Sequence, residues 1–111
     1  MTGNSSRTRI RGTGSAPATS GCDELAEVTI LASPVPTVIA LLSVGTVLGV
    51  ELRAKPEIVV AVHTGTVAGS VVPGSLARLI ECLKKGYRFT ATVVTLDGGH
   101  CRVALRCVGK P

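Results

Sequence analysis

The chain has 111 residues and a formal net charge of +5, with 45% hydrophobic and 17% charged side chains. That is enough apolar mass for one domain and too little length for a multidomain enzyme. Aromatic residues are confined to Tyr87 and Phe89 while valine is abundant, so the core is β-branched and favours strands.

Residues 1 to 21 have Ile10 as their one large aliphatic side chain and carry Arg7, Arg9 and Arg11 without an acid. Such a stretch cannot bury enough surface to offset its ordering entropy. It is predicted to be a disordered basic arm, with a single folded domain over residues 22 to 111. Glu27 to Ala32 reads as a short strand, stopped by Ser33-Pro34-Val35-Pro36 because each proline holds the residue before it extended. Thr37 to Ser43 reads as a short helix of one or two turns, ended by Gly45. Thr46 to Arg53 alternates, with Leu48, Val50 and Leu52 on one face, and predicts a strand with one buried side. Glu57 to His63 is a near-continuous apolar strand that Thr64-Gly65 turns back into Thr66 to Val72.

Residues 28 to 50 carry no charge, but Pro34, Pro36, Gly45 and Gly49 break the run into short pieces. The expectation is buried strands and turns, with no membrane-spanning helix. No apolar stretch at the extreme N-terminus suggests a secretory signal.

The clearest helix is Leu76 to Lys85, where Leu76, Leu79, Ile80 and Leu83 form an apolar stripe and Arg78, Glu81 and Lys85 face away. Ser75 is its expected N-cap and Gly86 its stop. Tyr87 to Leu96 and His100 to Val108 then form a hairpin around Asp97-Gly98-Gly99. A three-residue loop sets Phe89, Ala91 and Val93 against Cys107, Leu105 and Val103, and gathers Arg88, Thr90, Thr92, Arg102 and Arg106 on the other face. The fold class is α+β: a small bent antiparallel β-sheet or half-open β-barrel with one main helix and one short helix.

Four cysteines, Cys22, Cys82, Cys101 and Cys107, form no CxxC pair, and His63 and His100 fit no zinc pattern. Neither metal nor cofactor is expected. Cys101 and Cys107 lie about 20 Å apart along one strand and cannot bond each other. All four are read as small buried hydrophobes, reduced in a bacterial or phage cytoplasm. Adjacent His100 and Cys101 point to opposite faces of a strand, which removes the one Cys-His pair that could serve a nucleophile. Gly65, Gly69 and Gly74 make no phosphate loop. The expectation is a protein that is not an enzyme.

The last third, residues 76 to 111, holds Arg78, Lys84, Lys85, Arg88, Arg102, Arg106 and Lys110 against Glu81 and Asp97. Arg88, Arg102 and Arg106, extended by Lys84 and Lys85 and with Tyr87 as a stacking surface, form a candidate nucleic-acid-binding set for single-stranded DNA or RNA. The competing expectation is a protein-interaction or regulatory module that uses a sheet edge or an apolar patch. Residues Gly65, Gly69, Pro73, Leu76, Ala77, Leu79, Gly86, Phe89, Ala91 and Val93 resemble the second half of a HIRAN domain. That resemblance implies a small β-barrel with one or two helices and, in its best-known members, a grip on a single-stranded DNA end. Where those members carry an aromatic, an aspartate and an asparagine, this chain has Ala54-Lys55-Pro56-Glu57-Ile58-Val59. No DNA-end contact can therefore be carried over.

Overall fold

The computed structural model describes residues 18–111. Most of the basic arm expected over residues 1 to 21 thus lies outside the described residues. Its last part does not: Ala18–Glu24 form a 3-10 segment, and Cys22 within it is buried. The described structure begins inside the expected arm.

Six strands follow: β1 (Ala26–Ile30), β2 (Val47–Arg53), β3 (Ile58–His63), β4 (Thr66–Ser70), β5 (Arg88–Asp97) and β6 (His100–Gly109). Helix α1 (Pro36–Ile39) precedes β2, and α2 (Leu76–Lys84) joins β4 to β5. The strands form one antiparallel sheet in the order β1-β6-β5-β2-β3-β4. The sheet bends until the chain just beyond β1 meets the end of β4. There Ala32 and Ser70 exchange N–H···O bonds of 2.9 and 2.8 Å. The described fold is therefore a small compact α+β domain with a six-stranded antiparallel sheet and two helices.

Alternation decides which side chains line the inner face. Leu48 and Val50 on β2, Phe89, Ala91 and Val93 on β5, and Cys101, Val103 and Leu105 on β6 are all buried in one core. Leu79 of α2 and Val38 and Ile39 of α1 close on it. The turn at Thr64-Gly65 has positive φ at both residues, 46° and 87°, which is the two-residue turn that matches strand twist.

The terminal hairpin corrects one expectation and keeps its consequence. Asp97 pairs with His100, so the loop is Gly98-Gly99, two residues, both with positive φ. Unmodified, that loop would place Phe89 and Val93 on the face of Arg102 and Arg106. A register shift between Val93 and Thr95 inserts Val94 as an extra residue and restores the pairs Phe89 with Cys107, Ala91 with Leu105 and Val93 with Val103. The facing pairs are those the three-residue loop predicted, and the mechanism differs.

Helix α2 ends one residue before its expected limit and turns the expected stripe inward, with Cys82 added to it. Leu79 and Cys82 are its buried residues, while Leu76, Ile80 and Leu83 pack partly against the core. Gly86, at φ 100°, stops it. Its N–H donates to the Leu83 carbonyl and that of Tyr87 to the Cys82 carbonyl, both at 3.1 Å, the pairing of a left-handed glycine cap. At the other end Ser75 occupies the cap position but makes no side-chain cap bond. The Ser75 hydroxyl instead donates to Glu27 on β1 at 2.6 Å, and the Gly74 N–H donates to the second carboxylate oxygen at 2.8 Å. A strand carboxylate thus meets the positive end of the helix.

The expectation of four reduced thiols is overturned. Cys22 is disulfide-bonded to Cys82, with Cα atoms 5.7 Å apart and a sequence separation of 60. The bond ties the 3-10 segment to α2 and explains why Cys82 faces inward. Cys101 and Cys107 are free. Closing so long a loop restricts the unfolded chain. Reduction, or Cys82→Ser, should therefore lower unfolding stability by on the order of 2–4 kcal/mol. Unreduced, denatured protein should titrate only the Cys101 and Cys107 thiols. Leu79→Ala should cost on the order of 2–5 kcal/mol in denaturant unfolding, since Leu79 is fully buried.

Candidate functional site

The strand registers align side chains into rows across the outward face. Ile30 pairs with Arg102 and Arg102 with Thr95; Val28 pairs with Ala104, Ala104 with Thr92, and Thr92 with Val47; Ala26 pairs with Arg106, and Arg106 with Thr90. An aliphatic and threonine row is thus flanked by two arginines, about 14 Å apart along β6. Val28 is 53% exposed, Ile30 45% and Val47 59%. No acidic side chain lies on this face of β1, of β6 beyond His100, or of β5 before Asp97.

β1 is turned inside out relative to its composition. Alternation of polar and apolar residues would send Val28 and Ile30 inward, yet Glu27 and Thr29 take the inner side and are half-buried. The phase is set at the strand's flanks, where Leu25 and Leu31 are buried, and by Glu27 reaching Gly74 and Ser75 at the start of α2. Val28 and Ile30 are left outside as a consequence.

The predicted nucleic-acid set is only partly brought together. Arg102 and Arg106 are exposed on β6, as expected. Arg88 sits at the start of β5 with its guanidinium folded over Gly109, 2.5 Å from where a Cβ on that glycine would lie. Lys84 is paired with Glu57 at 2.6 Å, and Lys110 with Asp23 at 3.1 Å. Lys84 and Lys85 belong to the end of α2, which packs against the core side of the sheet, so they do not extend the outward face. Tyr87 is half-buried against the core and offers no open ring there.

Beyond the bulge at Val94 the surface next to Ile30 is hollowed. A groove of about 560 Å³ is lined by Ile30, Thr95, Leu96, Asp97, His100 and Arg102. A smaller apolar pocket of about 280 Å³ lies between α1 and the hairpin tip, against Pro34, Pro36, Ile39, Ala40 and Gly99. Among the described residues, no group of His, Cys, Asp and Glu is placed to hold a metal ion. Burial pushes the Cys101 thiol up from its ordinary value, the opposite of what a nucleophile needs. No helix of the described residues is long and apolar enough to cross a membrane.

The exposed aliphatics were missed from sequence because their signal is a strand pattern in which the apolar phase faces outward. Only the placement of Leu25, Glu27 and Leu31 reveals that phase. No family model, curated protein or solved structure matches the chain.

Hydrogen bonds from Ser75 and the Gly74 backbone hold the Glu27 carboxyl below the usual glutamate range. A folded-state pKa below the unfolded one stabilises the fold above the ordinary glutamate pKa, and that stability is lost as pH falls through the folded value. Unfolding measured from neutral pH into acid should therefore show a steeper acid limb for the native chain than for Glu27→Gln. An unchanged limb would remove Glu27 as the group that anchors α2.

Proposed function

We propose that this domain is a non-enzymatic protein-interaction module, which docks a partner bearing aliphatic and acidic side chains on the outward face of β1, β6 and β5. The observation that carries this reading is the exposed row through Val28 and Val47, bordered by Ile30, Arg102 and Arg106, with no acid on this face of β1 or β6. Exposed aliphatics rimmed by charge are the chemistry of a protein-docking surface. The buried Cys22–Cys82 disulfide supports an oxidising compartment in place of the cytoplasmic expectation.

Single-stranded nucleic acid is the second reading. It is favoured by Arg102 and Arg106, which have no ion pair among the described residues. It is weakened because Tyr87 and Phe89 pack against the core, which leaves the imidazole of His100 in the groove as a small stacking surface. The residues of the HIRAN resemblance hold a turn (Gly65), a helix cap (Gly86) and the inner face (Phe89, Ala91, Val93). They support a proposal of kinship in fold and none of activity.

Isotope-labelled protein titrated with an oligothymidylate, and separately with an acetylated peptide of alternating valine and glutamate, separates the two readings. The peptide should shift the amide signals of Val28, Val47 and Arg102, and the oligothymidylate should not. Arg102→Ala with Arg106→Ala should weaken the peptide about tenfold without altering unfolding. An oligothymidylate response that collapses between about 50 and 200 mM salt would install the nucleic-acid reading instead. Silence toward both ligands would remove both.

A further inference from the structure

We infer that the partner is added to β1 as an extra strand: an extended segment that alternates aliphatic and acidic residues and bonds the backbone of Val28 and Ile30. This deepens the protein-docking reading and rests on it. β1 pairs with β6 on one side only. The Leu31 N–H donates to the Cys101 carbonyl at 2.9 Å, so antiparallel alternation gives the ladder bonds to Leu31, Thr29 and Glu27. The N–H and C=O groups of Ile30 and Val28 then point away from β6, toward the open edge. Ala32, next in the same phase, shows what this edge can bond, since its own groups pair with Ser70. Among the described residues, no backbone partner is bonded to Val28 or Ile30 on that side.

Natural edges are blunted by charge, proline or a bulge. Here the outward side chains are Ala26, Val28 and Ile30, with neither charge nor proline among them, and the inward charge of Glu27 is taken up by Gly74 and Ser75. Strand addition supplies affinity through backbone bonds and selectivity through alternate side chains. Outward side chains of the added strand would lie beside Val28 and Ile30. A glutamate opposite Ile30 would stand two strand spacings, about 10 Å, from the β6 backbone, a gap that its side chain and that of Arg102 span together. Charge complementarity chooses this partner over a second copy of the chain, because a second β1 would leave Arg102 and Arg106 without a counter-charge and an acidic segment supplies one.

Val28→Pro, compared with Val28→Ala, is the discriminating variant, since both remove the valine side chain and only the proline removes the N–H. That N–H faces the open edge, where proline is tolerated, and its loss leaves the ladder to β6 intact. The probe is the alternating valine and glutamate peptide, with a second version N-methylated at alternate amides so that one edge cannot donate. The inference expects the first peptide to bind the native chain, with slowed exchange of the Val28 and Ile30 amides. It expects at least about tenfold weaker binding both for Val28→Pro relative to Val28→Ala and for the N-methylated peptide on the native chain. The second comparison stands even if the proline variant fails to fold. If the N-methylated peptide binds equally well and Arg102→Ala still weakens it, strand addition is overturned while docking on the face survives. If neither peptide binds, both fall.

Discussion

Everything on the outward face depends on how the β5–β6 hairpin reconciles a two-glycine turn with a one-sided core. Gly98 and Gly99 supply the positive φ that the turn needs. That turn alone would drive Arg102 and Arg106 into the interior against Phe89 and Val93. Burying unpaired guanidinium groups costs far more than a local kink, and the extra residue at Val94 resolves the conflict. It returns Val103 and Leu105 to the core and sets the arginines outside. Thr95, the residue after the bulge, lines the groove together with Ile30 and Arg102. Core and charge placement thus follow from one inserted residue.

A second constraint acts through β1. Its inner side is claimed by Leu25, Leu31 and the Glu27 carboxylate, which satisfies the backbone at the start of α2 where Ser75 makes no cap bond. The Cys22–Cys82 disulfide fastens the chain just before β1 to the same helix. β1 is therefore held in phase by its two flanks and by a long-range polar contact. The exposure of Val28 and Ile30 is what that phase leaves over. A strand held so firmly, with its apolar side chains outside and one edge without a backbone partner, is a stiff template. Stiffness lowers the ordering cost of binding an extended segment.

Much of the fold was legible in the sequence because its signals were local. The alternation of β2, the Thr64-Gly65 turn, the apolar stripe of α2 and Gly86 each encode their element within a few residues, and the elements lie within a few residues of their expected limits. The inner pairing of β5 with β6 was also legible, since only one register keeps Phe89, Ala91 and Val93 among apolar partners. What escaped was long-range. Cys22 and Cys82 meet because the 3-10 segment packs on α2, which no spacing rule announces. Ser75 looks like a cap and becomes a donor to Glu27 for the same reason. The candidate site divided along similar lines: Arg102 and Arg106 follow from alternation, whereas the pairing of Lys84 with Glu57 and the packing of Tyr87 depend on distant neighbours.

The central claim is that β1 carries a structured inner ladder and an open outer edge, and amide hydrogen exchange of the free native protein tests it most directly. The account predicts alternation along the strand, with the amides of Glu27, Thr29 and Leu31 protected by β6 and that of Ala32 by Ser70, while Val28 and Ile30 exchange at nearly unprotected rates. Protection of Val28 and Ile30 equal to that of their neighbours would mean that the edge is already covered, and would contradict the account.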